Sequence, residues 1–180
     1  MKRAILAAVC LTIVSGTALA QSRGNGNGNG NGGGTSSAVP VLVDSTGKVV
    51  GRYVGNQVLV SYNGSVLPLM LGSISNGSGY SISSGFTWQY SNVFYTSADC
   101  SGQAHLIMSA VGSRLTVSVA PQGNQTIAYF SNAQSPVSMD VNSMRMPNGN
   151  CSSQQFTAPT VPVNGTFSLD TYGIPPFYVQ

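Results

Sequence analysis

The stretch FTWQYSNVF, residues 86–94, decides the fold class because its bulky side chains recur at every second position. A period of two is that of a β-strand with one buried face, whereas a helix repeats its apolar side chains every three to four residues. We therefore predict a strand here with one face in the core. Its inner face would carry Phe86, Trp88, Tyr90 and Phe94, and its outer face Thr87, Gln89 and Ser91.

The same alternation continues along the chain. Leu115, Val117 and Val119 alternate with polar residues, and a further alternating segment covers residues 137–146. In that segment the phase slips by one position near Asn142 and Ser143. One extra residue in a strand is typical of a β-bulge, so we predict a bulge at this point.

Turn signals separate the alternating runs. Residues 44–47 read DSTG and residues 62–65 read YNGS, and Asn-Gly favours a two-residue hairpin because both of its positions need a positive φ. No convincing amphipathic helix is found. Residues 38–180 are long enough for one domain with a core of its own. We predict an all-β fold for this single β-rich domain, an antiparallel sandwich or barrel of about eight to ten strands.

The first 37 residues differ from this domain in composition. Residues 1–20 combine a basic start, a short apolar run and the small residues Ala18-Leu19-Ala20, which predicts a cleaved secretory signal peptide. The following residues, 21–37, include GNGNGNGNGGG, which has no side chain able to build a core. We predict a disordered Gly/Asn-rich linker over 21–37. No run is long and apolar enough for a transmembrane helix.

Charge is scarce in this chain. Seven basic and four acidic residues give a formal net charge of +3, which falls to +1 once Lys2 and Arg3 leave with the signal peptide. A nearly neutral chain lacks the basic surface that nucleic acids require, so no nucleic-acid partner is predicted.

Cleavage also leaves two cysteines, Cys100 and Cys151. In an exported protein such a pair predicts a disulfide, since the compartment is oxidising. The alternative is a catalytic thiol formed by Cys100 with His105, the only histidine. The pattern favours the disulfide, with no catalytic role for His105.

Other enzymatic sites find little support. Asp140 and Asp170 are the candidate carboxylate pair of a glycosidase, but each lies where a turn or a polar strand face also explains it. One histidine and two oxidised cysteines are too few zinc ligands. A tight turn explains Asp44 and Gly47 without calcium. The prediction is therefore no catalytic, cofactor-binding or metal-binding residue.

A ligand platform is the remaining site hypothesis. Exposed Trp88 and Tyr90 could stack on sugar rings, although burial of the only tryptophan in the core is favoured. Carbohydrate is accordingly the partner class considered. The Asn-X-Ser/Thr sequons follow from the Asn/Ser-rich composition and lie at Asn63, Asn76, Asn124, Asn150 and Asn164.

Three short stretches carry a resemblance: residues 44–51 (DSTGKVVG), residues 95–102 (YTSADCSG) and residues 175–177 (PPF). With them the chain resembles uncharacterised secreted bacterial β-rich proteins. The resemblance implies export and compactness, and it brings no established activity.

These observations favour an exported, non-enzymatic β-domain that serves as a surface, adhesive or structural binding module, at the cell surface, in a periplasm or outside the cell. The alternatives are a secreted hydrolase that uses His105 or the pair Asp140/Asp170, and a small outer-membrane β-barrel.

Overall fold

A computed structural model describes residues 38–74, 85–108 and 115–180 of the chain. The predicted all-β, antiparallel fold is confirmed. The described residues form thirteen strands rather than eight to ten, because several strands are only two to four residues long. Within this part of the chain no helix is long and apolar enough to cross a membrane. The predicted signal peptide (1–20) and linker (21–37), and the sequon at Asn76, lie outside the described residues.

The strands follow one another as β1 (Val41–Val43), β2 (Val49–Val54), β3 (Gln57–Tyr62), β4 (Ser65–Ser73), β5 (Phe86–Trp88), β6 (Val93–Tyr95), β7 (Ala104–Ile107), β8 (Thr116–Gln122), β9 (Gln125–Ser131), β10 (Val137–Arg145), β11 (Cys151–Pro162), β12 (Gly165–Ser168) and β13 (Tyr178–Val179).

The first sheet has six strands in the order β13-β1-β2-β3-β4-β5. Its hairpin between β3 and β4 turns at Asn63 and Gly64, with φ of 47° and 76°, as the Asn-Gly signal predicts. The two ends of the sheet approach each other, since the backbones of Phe86 and Phe177 exchange two hydrogen bonds of 2.8 Å. The ring of Phe177 is fully buried against Trp88 at a centroid distance of 4.6 Å. The C-terminal segment thus nearly closes the six-stranded sheet.

A second sheet closes on itself, with β10 paired to β11 and β6, and β7 paired to β11 and β6. The register of β10 against β11 shifts between Val141 and Ser143. One residue of β10, Asn142, lies opposite two residues of β11, Gln154 and Gln155. The predicted β-bulge is therefore found at this point of the ladder, but the prediction is wrong about the strand, because the extra residue belongs to β11 and β10 alternates without a slip.

The third sheet, β12-β9-β8, lies between the other two. Val119 and Ala128 pack in the core of the six-stranded sheet, while Ala120, Ile127 and Tyr129 pack in the core of the closed sheet. The prediction of one buried face is wrong for β8, because both faces of the three-stranded sheet are covered. The domain is accordingly a three-layered stack of antiparallel sheets.

The prediction of one strand over residues 86–94 is also wrong. Strand β5 ends at Trp88 and β6 begins at Val93 in a different sheet. The segment between them changes partners, since the Gln89 amide donates to the Met70 carbonyl and the Ser91 amide donates to the Val119 carbonyl. The backbone therefore crosses from the six-stranded sheet to the edge of β8.

Candidate functional site

Cys100 and Cys151 form the predicted disulfide, with their Cα atoms 5.8 Å apart. Ser143 of β10 positions the Cys100 turn: its hydroxyl accepts from the Cys100 amide at 2.9 Å and donates to the Ser97 carbonyl at 2.7 Å. Ser143 is fully buried. This side chain therefore holds the turn that carries one half of the disulfide. The bond is consistent with an oxidising, exported location.

His105 lies in β7, opposite Phe94 on one side and Pro162 on the other. Its Nδ1 is 3.4 Å from the Thr160 hydroxyl, and burial lowers the pKa of the imidazole. The sulfur of Cys100 is bonded to Cys151 rather than held as a thiolate. Cys100 is therefore not a free thiolate that His105 could activate.

All four aspartates accept hydrogen bonds from nearby hydroxyl groups. Asp44 and Asp99 accept from the hydroxyls of Thr46 and Ser101, each at 2.6 Å, and these bonds are the main cause that lowers the pKa of both carboxyls. The remaining two pairs are Asp140 with Thr157 at 2.6 Å and Asp170 with Ser168 at 3.0 Å. Each carboxylate therefore has a local structural partner.

The structure does not bring the candidate pair Asp140 and Asp170 into one sheet. Asp140 lies in β10 of the closed sheet, whereas Asp170 follows β12 and accepts from the Thr126 amide at 3.3 Å. Among the described residues no group of three or more His, Cys, Asp or Glu side chains is placed to hold a metal ion.

The ligand-platform hypothesis needs correction at Trp88. Its side chain is only 2 % exposed, which confirms the favoured core position and leaves no ring face for a sugar. Tyr90 behaves in the opposite way: it is 37 % exposed, so its predicted burial is wrong. Its hydroxyl lies 3.5 Å from that of Thr126. The two residues do not form one aromatic surface.

A groove of about 280 Å³ opens between the closed sheet and β8. We call it the interlayer groove. It is lined by Ser91, Asn92, Phe94, Leu106, Ile107, Thr116, Val117 and Ser118. None of these side chains is charged, and its polar groups are hydroxyls and one amide. A few polar groups in a partly apolar concavity are typical of small-ligand sites, although this groove is slightly smaller than their usual range of about 300–1,000 Å³.

Hydrogen bonds fix the wall of the interlayer groove. The Ser118 hydroxyl donates to the Asn92 carbonyl at 3.0 Å and lies 2.6 Å from the Ser91 hydroxyl. The side-chain oxygen of Asn92, in contrast, is buried and has no hydrogen-bond partner within the described part of the chain. A buried acceptor without a partner is costly, and such an atom in a native structure calls for an explanation.

A second groove of about 340 Å³ runs along the β10–β11 hairpin. It is lined by Asp140, Val141, Asn142, Gln155, Phe156 and Thr157. Two of its polar side chains have partners in the protein: Asp140 accepts from Thr157, and Asn142 donates to the Thr96 carbonyl at 2.6 Å. This groove differs from the interlayer groove in carrying a carboxylate, that of Asp140.

The interlayer groove was not predicted from the sequence. Ser91 was expected on the outer face of one long strand, and Asn92 was not among the candidate site residues. The available signal was the pair Ser91-Asn92, which interrupts the aromatic alternation at the point where the backbone changes sheets.

Comparison of the chain with protein-family models, with curated proteins and with solved structures found no match.

Proposed function

We propose that this chain is an exported, non-catalytic binding module that holds an uncharged ligand in the interlayer groove. The observation that carries the proposal is the groove itself, in which no described lining residue is charged and the buried Asn92 oxygen has no partner among the described residues. A ligand held by shape and neutral hydrogen bonds suits a chain in which 6 % of the residues are charged.

Two further features support this function. The side chains considered for catalysis have structural partners: Cys100 lies in the disulfide, His105 lies 3.4 Å from the Thr160 hydroxyl, and the aspartates accept from neighbouring hydroxyls. The predicted signal peptide and the disulfide together support export.

A ligand panel tests the proposal. Neutral oligosaccharides and blocked uncharged peptides are added to the protein, and the melting temperature and binding heat are recorded. We expect a member of the panel to raise the melting temperature, because a ligand that binds only the folded state stabilises it. No response from any neutral ligand would contradict the proposed function.

Matched variants locate the binding site. Thr116→Val removes a hydroxyl from the groove wall with little change of shape, and Thr166→Val makes the same change on β12, where the side chain is exposed. We expect Thr116→Val to weaken binding about tenfold and Thr166→Val to leave it unchanged. Equal effects of the two variants would place binding elsewhere.

The hydrolase hypothesis is tested in the same samples. Asp140 is the one aspartate that lines either groove, so Asp140→Asn is the informative variant. We expect mass spectrometry to find every bound ligand intact. Cleavage that is lost in Asp140→Asn would favour the secreted hydrolase instead.

A further inference from the structure

We infer that the ligand of the interlayer groove is an extended, uncharged peptide segment that pairs with β8 along the edge on which no described strand lies. This inference rests on the proposed function and adds the ligand class and the mode of binding. An extended peptide that adds a strand to a sheet edge is bound mainly by backbone hydrogen bonds.

The register of β8 shows which of its backbone groups face the edge. In an antiparallel pair, residues that exchange hydrogen bonds with the partner strand alternate with residues whose N–H and C=O point away from it. The Val119 carbonyl accepts from the Ser91 amide at 2.8 Å on the side away from β9. Alternation therefore turns the N–H and C=O of Val117 and the C=O of Pro121 to that same side.

Two of these three edge positions are already blocked. Pro121 has no N–H, which is how proline protects edge strands. Val119 is covered by Ser91, whose amide and hydroxyl meet the Val119 carbonyl and amide. Val117 differs, because within 38–74, 85–108 and 115–180 no backbone group pairs with it on this side. The open position lies in the wall of the interlayer groove.

The proposed strand pairing already occurs once within the molecule, at Ser91. It pairs with β8 at Val119, and a peptide in the groove would extend this pairing by one position to Val117. The neutral lining, with the hydroxyl of Thr116 and the amide of Asn92, suits small or hydroxylated side chains.

A carbohydrate is less well matched to this groove. Sugar rings bind on exposed aromatic faces, but Phe94, the one aromatic side chain among the described lining residues, is 7 % exposed. Tyr90, which is exposed, is not among the lining residues. The open backbone pair at Val117 therefore favours a peptide over a sugar.

Amide exchange and NMR titration of the ¹⁵N-labelled, disulfide-bonded protein test the inference. The probe is a blocked pentapeptide of alternating threonine and valine, and its control is the same peptide with N-methylated central residues. We expect the Val117 amide to exchange freely in the protein alone, and to exchange at least about tenfold more slowly with the probe. The N-methylated control should give no such protection.

Val117→Pro removes the edge N–H and should abolish probe binding, in the same way that proline already closes the edge at position 121. If this variant fails to fold, the exchange measurement on the unaltered protein decides alone. A Val117 amide already protected without a ligand would overturn the inference. Protection that rises with protein concentration would also overturn it, since the edge would then pair between two copies of the chain.

Cellopentaose and maltopentaose form the second arm of the experiment. Shifts of the Asn92 amide with either sugar and none with the peptide would overturn the peptide inference and leave the proposed binding function standing. If no ligand of either class acts on the groove, both proposals fail.

Discussion

At the residue scale, the polar side chains of this protein act mainly by satisfying backbone groups in turns. The clearest case is Asp44, whose carboxylate accepts from the Thr46 amide and hydroxyl and from the Lys48 amide. Ser143 does the same for the turn of Cys100. Such local bonds explain why a chain with few charges still carries conspicuous aspartates at its turns.

Ser143→Ala should lower the free energy of unfolding by about 1–3 kcal/mol, because the Cys100 amide and the Ser97 carbonyl would lose their buried partner. Denaturant unfolding measures the change. Ser138→Ala, at an exposed position of the same strand, should stay within about 0.5 kcal/mol. Equal stability of the two variants would contradict a positioning role for Ser143.

The stability that Asp44 contributes should depend on pH. Its pKa is lowered in the folded protein, chiefly by the Thr46 hydroxyl, so its stabilising effect is complete above the pKa of the unfolded chain, about 3.9. That effect is lost as the pH falls through the lower, folded pKa. Melting temperatures of the unaltered protein and of Asp44→Ala should therefore differ at pH 7 and converge towards pH 2. A constant difference over this range would show that the carboxylate's charge is not involved.

At the scale of elements, short turns could be predicted from sequence and changes of sheet could not. The hairpin at Asn63-Gly64 has a local signal and is confirmed. The bulge near Ser143 was predicted at the right point of the ladder but in the wrong strand, since its extra residue belongs to β11. The hairpin at Gly55-Asn56, with φ of 47° and 66°, was not predicted, because Gly-Asn is a less familiar turn signal than Asn-Gly. The end of β5 at Trp88 could not be predicted, because Tyr90 continues the alternation of aromatic and polar residues.

The interlayer groove was missed for a different physical reason. Its walls come from residues 91–94, 106–107 and 116–118, which meet only when the sheets stack. Burial of β9 on both faces did have a local signal, since its sequence includes the apolar run IAYF. Reading that run as a strand covered on two sides would have indicated a third layer.

Closure of the six-stranded sheet depends on one residue near the C-terminus. Phe177→Ala should cost about 3–5 kcal/mol of stability, because it leaves a cavity beside Trp88 at the point where the ends of the sheet meet. Denaturant unfolding followed by tryptophan fluorescence measures it. Ile174→Ala, where the side chain is 63 % exposed, is the control and should cost less than about 1 kcal/mol. A small loss in Phe177→Ala would mean that the sheet does not need this closure.

At the scale of the whole molecule, the disulfide joins residues that are 51 positions apart. It links the turn after β6 to the start of β11, both within the closed sheet. Chain-entropy reasoning gives such a loop a stabilisation of about 4 kcal/mol, a large part of the stability typical of a domain.

Reduction should accordingly lower the melting temperature markedly. Calorimetry with and without a phosphine reductant measures this effect. Alkylation of the unfolded, unreduced protein, followed by mass spectrometry, should find neither Cys100 nor Cys151 modified. Two modified cysteines would show that the disulfide is absent. A melting temperature unchanged by the reductant would show that the disulfide does not stabilise the fold.

Asn92→Leu tests ligand binding in the interlayer groove through two readouts of one thermal unfolding experiment. Leucine has a similar size and removes the buried, unpartnered oxygen, so the free protein should gain about 1 kcal/mol of stability. The stabilisation by the ligand found in the panel should be lost in the same variant. A polar group kept for binding at a cost in stability produces this opposite pair of effects. A destabilised variant that still responds fully to the ligand would contradict the claim.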